Sequence, residues 1–117
     1  MIKVIEKKTI FGEIKKTYQL TQGDSFRFRA YSRNVSNNNL ISAITFKVSL
    51  DDYVRIFEKE YELQEDGSYI LYVESTDTEL WAPSTEYKTE IEVTYSDGSV
   101  DTIQKSELIV EPQIKEG

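Results

Sequence analysis

The side chains here that could carry chemistry are nearly all carboxylates. Asp51 and Asp52, the series Glu58, Glu60 and Glu62, the pair Glu65 and Asp66, and the pair Glu90 and Glu92 supply them. Two facing carboxylates can hydrolyse a glycosidic bond, but only across a cleft of defined width. Glu58, Glu60 and Glu62 alternate along one strand, as do Glu90 and Glu92, which is the pattern of a solvated sheet face. The loop acids Asp51-Asp52 and Glu65-Asp66-Gly67 offer oxygen ligands to calcium, yet neither fits an EF-hand loop and both read as ordinary turns. The chain has no histidine and no cysteine. The commonest general base, the commonest transition-metal ligand, thiolate chemistry and disulfides are all missing with them. There is no Ser/His pair, glycine-rich phosphate loop or nucleophile elbow. The expectation is a protein that is not an enzyme and uses no cofactor or metal.

Binding is the remaining class of function. Arg27 and Arg29 flank Phe28, with Tyr31 following, a superficial likeness to a nucleic-acid strand. A stacking platform needs its aromatics on the basic face, and alternation leaves only Tyr31 there. The net charge of −7 is unevenly spread: residues 1–35 carry eight Lys/Arg against three Asp/Glu, and residues 36–117 carry six against eighteen. An acidic body argues against nucleic acid as a partner. It leaves the basic N-terminal segment, with Lys7, Lys8, Lys15 and Lys16, free to act as an electrostatic anchor for a protein partner, whether a second copy or a different chain. The eight tyrosines are many for this length. Tyr69, Tyr87 and Tyr95 read as core, whereas Tyr31, Tyr53 and Tyr72 read as exposed rings suited to a contact surface. Trp81, close to Pro83, is either a lid on the end of the core or an interface anchor. The candidate interaction surface is therefore Lys7, Lys8, Lys15, Lys16, Tyr31, Tyr53, Tyr72 and Trp81.

These side chains must be positioned by strands. From Tyr87 to Tyr95 the odd positions Tyr87, Thr89, Ile91, Val93 and Tyr95 share one face, with Lys88, Glu90, Glu92 and Thr94 on the other. Asp97-Gly98 then predicts a hairpin through a type I′ turn. Upstream, Ser25–Ser32 turns Phe26, Phe28 and Ala30 inward, Ser42–Leu50 turns Ile44, Phe46, Val48 and Leu50 inward, and Ser68–Glu74 turns in Tyr69, Leu71 and Val73. Val54–Leu63 reads as a strand with a bulge near Ile56-Phe57, although Val54, Phe57 and Tyr61 also suit helical spacing. The last strand changes phase between Ile103 and Leu108, as a bulge or a break would cause. Residues 2–20 hold one or two lysine-guarded edge strands, including Thr9-Ile10-Phe11 before Gly12. Arg33–Asn39 is a polar loop, and Ser75–Trp81 crosses between sheets through one helical turn, with Thr76 as its cap. Pro112 ends the last strand.

Seven or eight strands with turns about every ten residues, and no long helix, predict an all-β sandwich of two antiparallel sheets. The 117 residues suit a single domain, with 111–117 a polar tail or linker. No apolar run is long enough to cross a membrane as a helix, and Met1–Lys8 is unlike a signal peptide, so the chain is expected to be made in a cytoplasm.

Leu80, Pro83, Thr85 and Tyr87, followed by Ile91 and Val93, resemble the corner and strand of fibronectin type III and related immunoglobulin-like sandwiches. The resemblance implies a tyrosine hydroxyl turned back onto the preceding corner, and it implies no activity. The chain departs from those domains in having no tryptophan in its early strands. A longer series is similar in order to small immunoglobulin-like modules of tailed-bacteriophage baseplate and tail proteins. It runs Gly23-Asp24, Ile44-Thr45-Phe46-Lys47-Val48, Asp66-Gly67-Ser68-Tyr69, Thr78-Glu79-Leu80-Trp81, Tyr87 and Asp97-Gly98. That resemblance implies a structural role among other virion proteins, with no catalytic residues to carry over. The alternative from the residues alone is an adhesin-like or carbohydrate-binding module, with Trp81 and the exposed tyrosines stacking on sugar rings.

Overall fold

The computed structural model describes residues 2–8, 14–31, 41–51 and 54–114, and of Lys7, Lys8, Ile14 and Lys15 the backbone only. The strands are β1 (Lys3–Lys8), β2 (Ile14–Thr21), β3 (Phe26–Tyr31), β4 (Ile41–Leu50), β5 (Val54–Glu60), β6 (Glu62–Leu63), β7 (Ser68–Val73), β8 (Ser84–Tyr95) and β9 (Val100–Glu111), with one helical turn, α1 (Ser75–Thr78). They form a six-stranded sheet in the order β1-β2-β9-β8-β4-β5 and a three-stranded sheet in the order β3-β7-β6. The fold is the expected all-β, immunoglobulin-like sandwich. Every pairing is antiparallel except β2 against β9, which is parallel.

Alternation explains the core. On β8 all five odd positions from Tyr87 to Tyr95 are buried. They meet Ile44, Phe46 and Val48 of β4, Leu20 of β2, Leu108 and Val110 of β9, and Leu71 and Val73 of β7. An aromatic group joins the two sheets: Phe26 and Phe28 of β3 stand 6.1 and 5.6 Å from Phe46 of β4, both edge-on. Such contacts add about 0.5–1.5 kcal/mol each beyond burial. Tyr18 and Tyr61, which the sequence reading assigned to neither core nor surface, are buried as well. Burial pushes the Tyr61 phenol well above its ordinary pKa.

Three details of register differ from or refine the expectation. The Val54–Leu63 segment is a strand, and β5 carries its bulge at Ile56, where the partner register passes from Phe57 to Arg55. The segment then breaks at Tyr61 and its last two residues join the other sheet, so Glu62 does not share a face with Glu58 and Glu60. β9 is continuous, with Ile103 left over where the register steps from Gln104 to Thr102. β2 is not an edge strand, because β9 pairs with its far side.

The hairpin at Asp97-Gly98 is real, but its turn is not type I′. Only Gly98 has positive φ there (88°), while Gly98 N–H bonds the Tyr95 carbonyl and Tyr95 N–H bonds the Ser99 carbonyl. This is a three-residue loop, a type I turn closed by a left-handed glycine. Asp97 Oδ1 accepts from both the Ser99 N–H and hydroxyl, which holds the turn in place of a second positive φ. Glu65-Asp66-Gly67 between β6 and β7 repeats the arrangement. Gly67 has φ of 85°, Gly67 N–H bonds the Gln64 carbonyl, and Asp66 Oδ1 accepts from the Ser68 N–H and hydroxyl.

One end of the sandwich is closed by residues far apart in sequence. Tyr87 donates its hydroxyl to the Ala82 carbonyl at 2.6 Å, the corner bond expected of its position. Thr78, fully buried, donates to the Asp24 carbonyl at 2.9 Å, and the Gln22 amide donates to the Glu79 carbonyl at 2.9 Å. The Gln22-Gly23-Asp24 turn and the Thr78–Trp81 segment, two separate motifs in the sequence, thus make one closure. The cap of α1 is Glu74 rather than Thr76: Glu74 N–H donates to Asp77 Oδ2 at 3.1 Å.

Candidate interaction surface

β3 and β7 set what lies on the outer face of the three-stranded sheet, where Ile70 and Ser68 are buried and the residues around them are exposed. Their antiparallel register places Arg27 opposite Tyr72, Arg29 opposite Ile70 and Tyr31 opposite Ser68. Since opposed residues share a face, two guanidiniums and two phenols meet on one surface. Tyr72 is 50% exposed and Tyr31 37%. The Arg27 guanidinium lies 5.9 Å from the centre of the Tyr72 ring, within reach of a cation–π attraction. Arg29 hydrogen-bonds Tyr31, which holds the guanidinium still more firmly in its charged form. Lys59 of β5 reaches across to donate to the Tyr72 backbone carbonyl at 2.7 Å, which fixes that strand's position beside the larger sheet.

At the end of this face, where β3 begins and β7 runs into α1, Ser25, Arg27, Tyr72, Glu74, Ser75 and Thr76 border a groove of about 540 Å³ floored by Phe26 and Val73. Its size falls in the range of small-ligand sites, and its lining pairs an aromatic ring with a cation, an acid and three hydroxyls. Such a lining can hold side chains or backbone of a partner. It brings no acid–base pair together.

The sequence-derived surface residues are distributed as follows. Tyr31 and Tyr72 are exposed on the same face of the three-stranded sheet, at opposite ends of the β3–β7 pairing. Trp81 is only 3% exposed; it packs on Phe57 at 5.2 Å and Phe26 at 6.2 Å, so it is the lid on the core and not an interface anchor. Lys16 is exposed on β2, opposite Glu6 of β1, and the β1–β2 register sets Lys7 opposite Lys15 and Lys8 opposite Ile14. Tyr53, Asp52, the run Thr9-Ile10-Phe11 with Gly12, and the loop Arg33–Asn39 lie outside the described residues. Sequence reasoning counted only Tyr31 with the arginines. Tyr72 also sits there, because β3 and β7 are neighbours although some forty residues apart along the chain. The one signal that could have found it is the outward phase shared by Arg27, Arg29 and Tyr72 within their own strands.

The acids are placed differently. On the outer face of the larger sheet Glu92 accepts from Lys47 Nζ at 2.6 Å, with Glu58 3.8 Å from the same nitrogen and 3.6 Å from Arg55. Among the described residues no group of three or more acidic side chains gathers as a metal site would require. No helix among them is long and apolar enough to cross a membrane.

No family model matches this chain, and no curated protein matches it. Among solved structures it is similar to the fibronectin(III)-like modules of CbhA from Clostridium thermocellum. The TM-score is 0.52 at 14% identity, over 96% of this chain and 98% of that one. At this identity the likeness is one of fold. It agrees with the tyrosine corner and the two-sheet architecture, and it does not extend to the phage-module resemblance.

Proposed function

We propose that this chain is a non-enzymatic binding module that works by protein–protein contact, and that the outer face of the three-stranded sheet is its contact surface. The observation that carries this reading is the exposed pairing of Arg27 with Tyr72 and of Arg29 with Tyr31 on one sheet face. Arginine and tyrosine are the residue types most enriched where interfaces concentrate their energy. A rigid ring covers area at little entropic cost, and a guanidinium adds directional donors. The finer reading is a structural component of a phage virion, made in the host cytoplasm and assembled with other virion proteins. It rests on the order of motifs from Gly23-Asp24 to Asp97-Gly98. The glycan-binding alternative loses the buried Trp81 and keeps only the two tyrosines and the groove.

The test is cross-linking of the chain in extracts of cells that produce it, comparing three forms. In one, Arg27→Ser and Tyr72→Ser are combined. In another, Lys88→Ser and Glu90→Ser alter the opposite face. The third is unchanged. The expected result is a defined protein partner cross-linked to the unchanged and Lys88/Glu90 forms and at least about tenfold less to the Arg27/Tyr72 form. Equal cross-linking by all three forms would remove the surface from the reading. A glycan that binds the unchanged chain but not the Arg27/Tyr72 form would replace the protein partner with a sugar.

A further inference from the structure

Among the described residues the sandwich has four sheet edges, and they are not equivalent. β5 is interrupted by the bulge at Ile56, and β6 is two residues long, both devices that discourage a further strand. β1 is an outlying edge with Lys3, Val4, Ile5 and Glu6 all exposed, so a strand added there would be supported by neither face of the core. β3 differs from all three. It runs six residues with an unbroken register against β7, its inner side chains Phe26 and Phe28 are anchored in the aromatic group, and among the described residues nothing pairs with its other side. Its backbone donors and acceptors on that side are a template for one more strand.

We propose that the free edge of β3 takes up an extended acidic segment of another protein as a fourth strand of the small sheet. This inference rests on the contact surface argued above and names the partner's chemistry. Arg27 and Arg29 are two residues apart on the outer face, so their backbone positions repeat at about 7 Å, the spacing of alternate residues on a neighbouring strand. Acidic residues at alternate positions of the incoming segment stand opposite them, and opposed unlike charges stabilise a cross-strand pair. The interactions of Arg27 with Tyr72 and of Arg29 with Tyr31 hold both guanidiniums on that face. Glu74 and Asp66 lie at its two ends, and Asp66 is already engaged by Ser68. A second copy of β3 is the wrong occupant. Two-fold pairing centred on Phe28 would set Arg27 of each copy against Arg29 of the other, and like charges directly opposite are destabilising.

The experiment uses the full chain, isotopically labelled, and two blocked synthetic peptides, Thr-Glu-Val-Glu-Val-Glu-Thr and Thr-Lys-Val-Lys-Val-Lys-Thr. Backbone amide exchange and chemical shifts of β3 are followed during titration. The expected result is slowed exchange at alternate β3 amides with the acidic peptide, about tenfold weaker binding of the basic peptide, and weakening as salt is raised. Arg27→Glu with Arg29→Glu is expected to reverse the preference, a readout that a variant with lost structure could not produce. The inference is overturned if the acidic peptide leaves the β3 amides unchanged, if both peptides bind alike, or if shifts map to β1 instead. Loss of partner cross-linking in the Arg27/Tyr72 form alongside such a result would leave the contact face standing and remove only the strand addition.

Discussion

The outer face of the six-stranded sheet pairs its charges within itself, whereas the outer face of the three-stranded sheet exposes rings and guanidiniums. On the larger face Lys47 lies between Glu92 and Glu58, Arg55 reaches the same Glu58, and the β8–β9 register sets Glu90 opposite Lys105 and Lys88 opposite Glu107. These acids and bases alternate across four strands and are opposed by ion pair or by register. On the smaller face the arginines have phenols as neighbours. A phenol orders a guanidinium without neutralising it, so the charge stays available to a partner. Both faces are built by the same period-2 alternation. The difference comes from which residue types fall in the outward phase, and it separates a face of opposed charges from one of arginines beside phenols.

The largest expected effect tests what supports both faces. Trp81 packs against Phe57 of β5 and Phe26 of β3, and so bridges the strands behind the two faces. Trp81→Ala is expected to cost about 3–5 kcal/mol of stability, read as a fall in denaturation midpoint, because it leaves a large cavity. Partner binding should fall in parallel with the folded fraction; binding retained by an unfolded population would detach function from the sandwich. Next in size is Tyr72→Ser combined with Arg27→Ser. It should weaken partner binding by about thirtyfold or more while moving stability by only about 0.5 kcal/mol, since neither side chain supports the core. A large loss of stability would mean that this face holds the fold. Lys47→Ala is the reciprocal case. The side chain is 17% exposed and bonds Glu92, itself 20% exposed, so its loss should cost about 1 kcal/mol in a urea titration and leave binding unchanged.

Much of this was legible in the sequence because alternation is local. β4, β8 and the bulges at Ile56 and Ile103 follow from phase within a single strand and the stop at Pro112 from proline's missing N–H, while the corner bond of Tyr87 was implied by the resemblance to fibronectin type III domains. What was not legible depends on pairing between strands. That Tyr72 lies beside Arg27 requires knowing that β3 neighbours β7, and that Glu62 leaves the face of Glu58 and Glu60 requires knowing that the chain changes sheets at Tyr61. Burial of Trp81 was open for the same reason, since its neighbours Phe26 and Phe57 come from two different sheets. The hairpin at Asp97-Gly98 shows a subtler limit. The dipeptide marks the turn, but the serine that follows supplies hydroxyl and N–H donors to the aspartate, and the loop settles with one left-handed residue instead of two.

The smallest effect compares the two matching turns, one in each sheet. Asp66 and Asp97 each accept from the hydroxyl and then the backbone N–H of the serine two residues on, and these bonds hold both carboxyls below their ordinary pKa of 3.8. A carboxyl depressed in the folded state stabilises the fold above its unfolded pKa, and that contribution is lost as pH falls through the lower folded value. Asp66→Asn and Asp97→Asn should therefore each lower the denaturation midpoint slightly at neutral pH and flatten its decline between about pH 5 and pH 2, converging on the unchanged chain in acid, because an amide oxygen accepts the same donors without the carboxylate's charge. The two variants should behave alike to the extent that the shared donors and geometry set the effect, although Ser68 is buried and Ser99 exposed. If Asp66→Asn flattens the profile more, the Arg29 charge near it adds to the depression, a contribution absent at Asp97, and raising salt should then remove the excess. A difference that survives high salt would instead place its origin in the turn, and the two loops would no longer count as the same structure used twice.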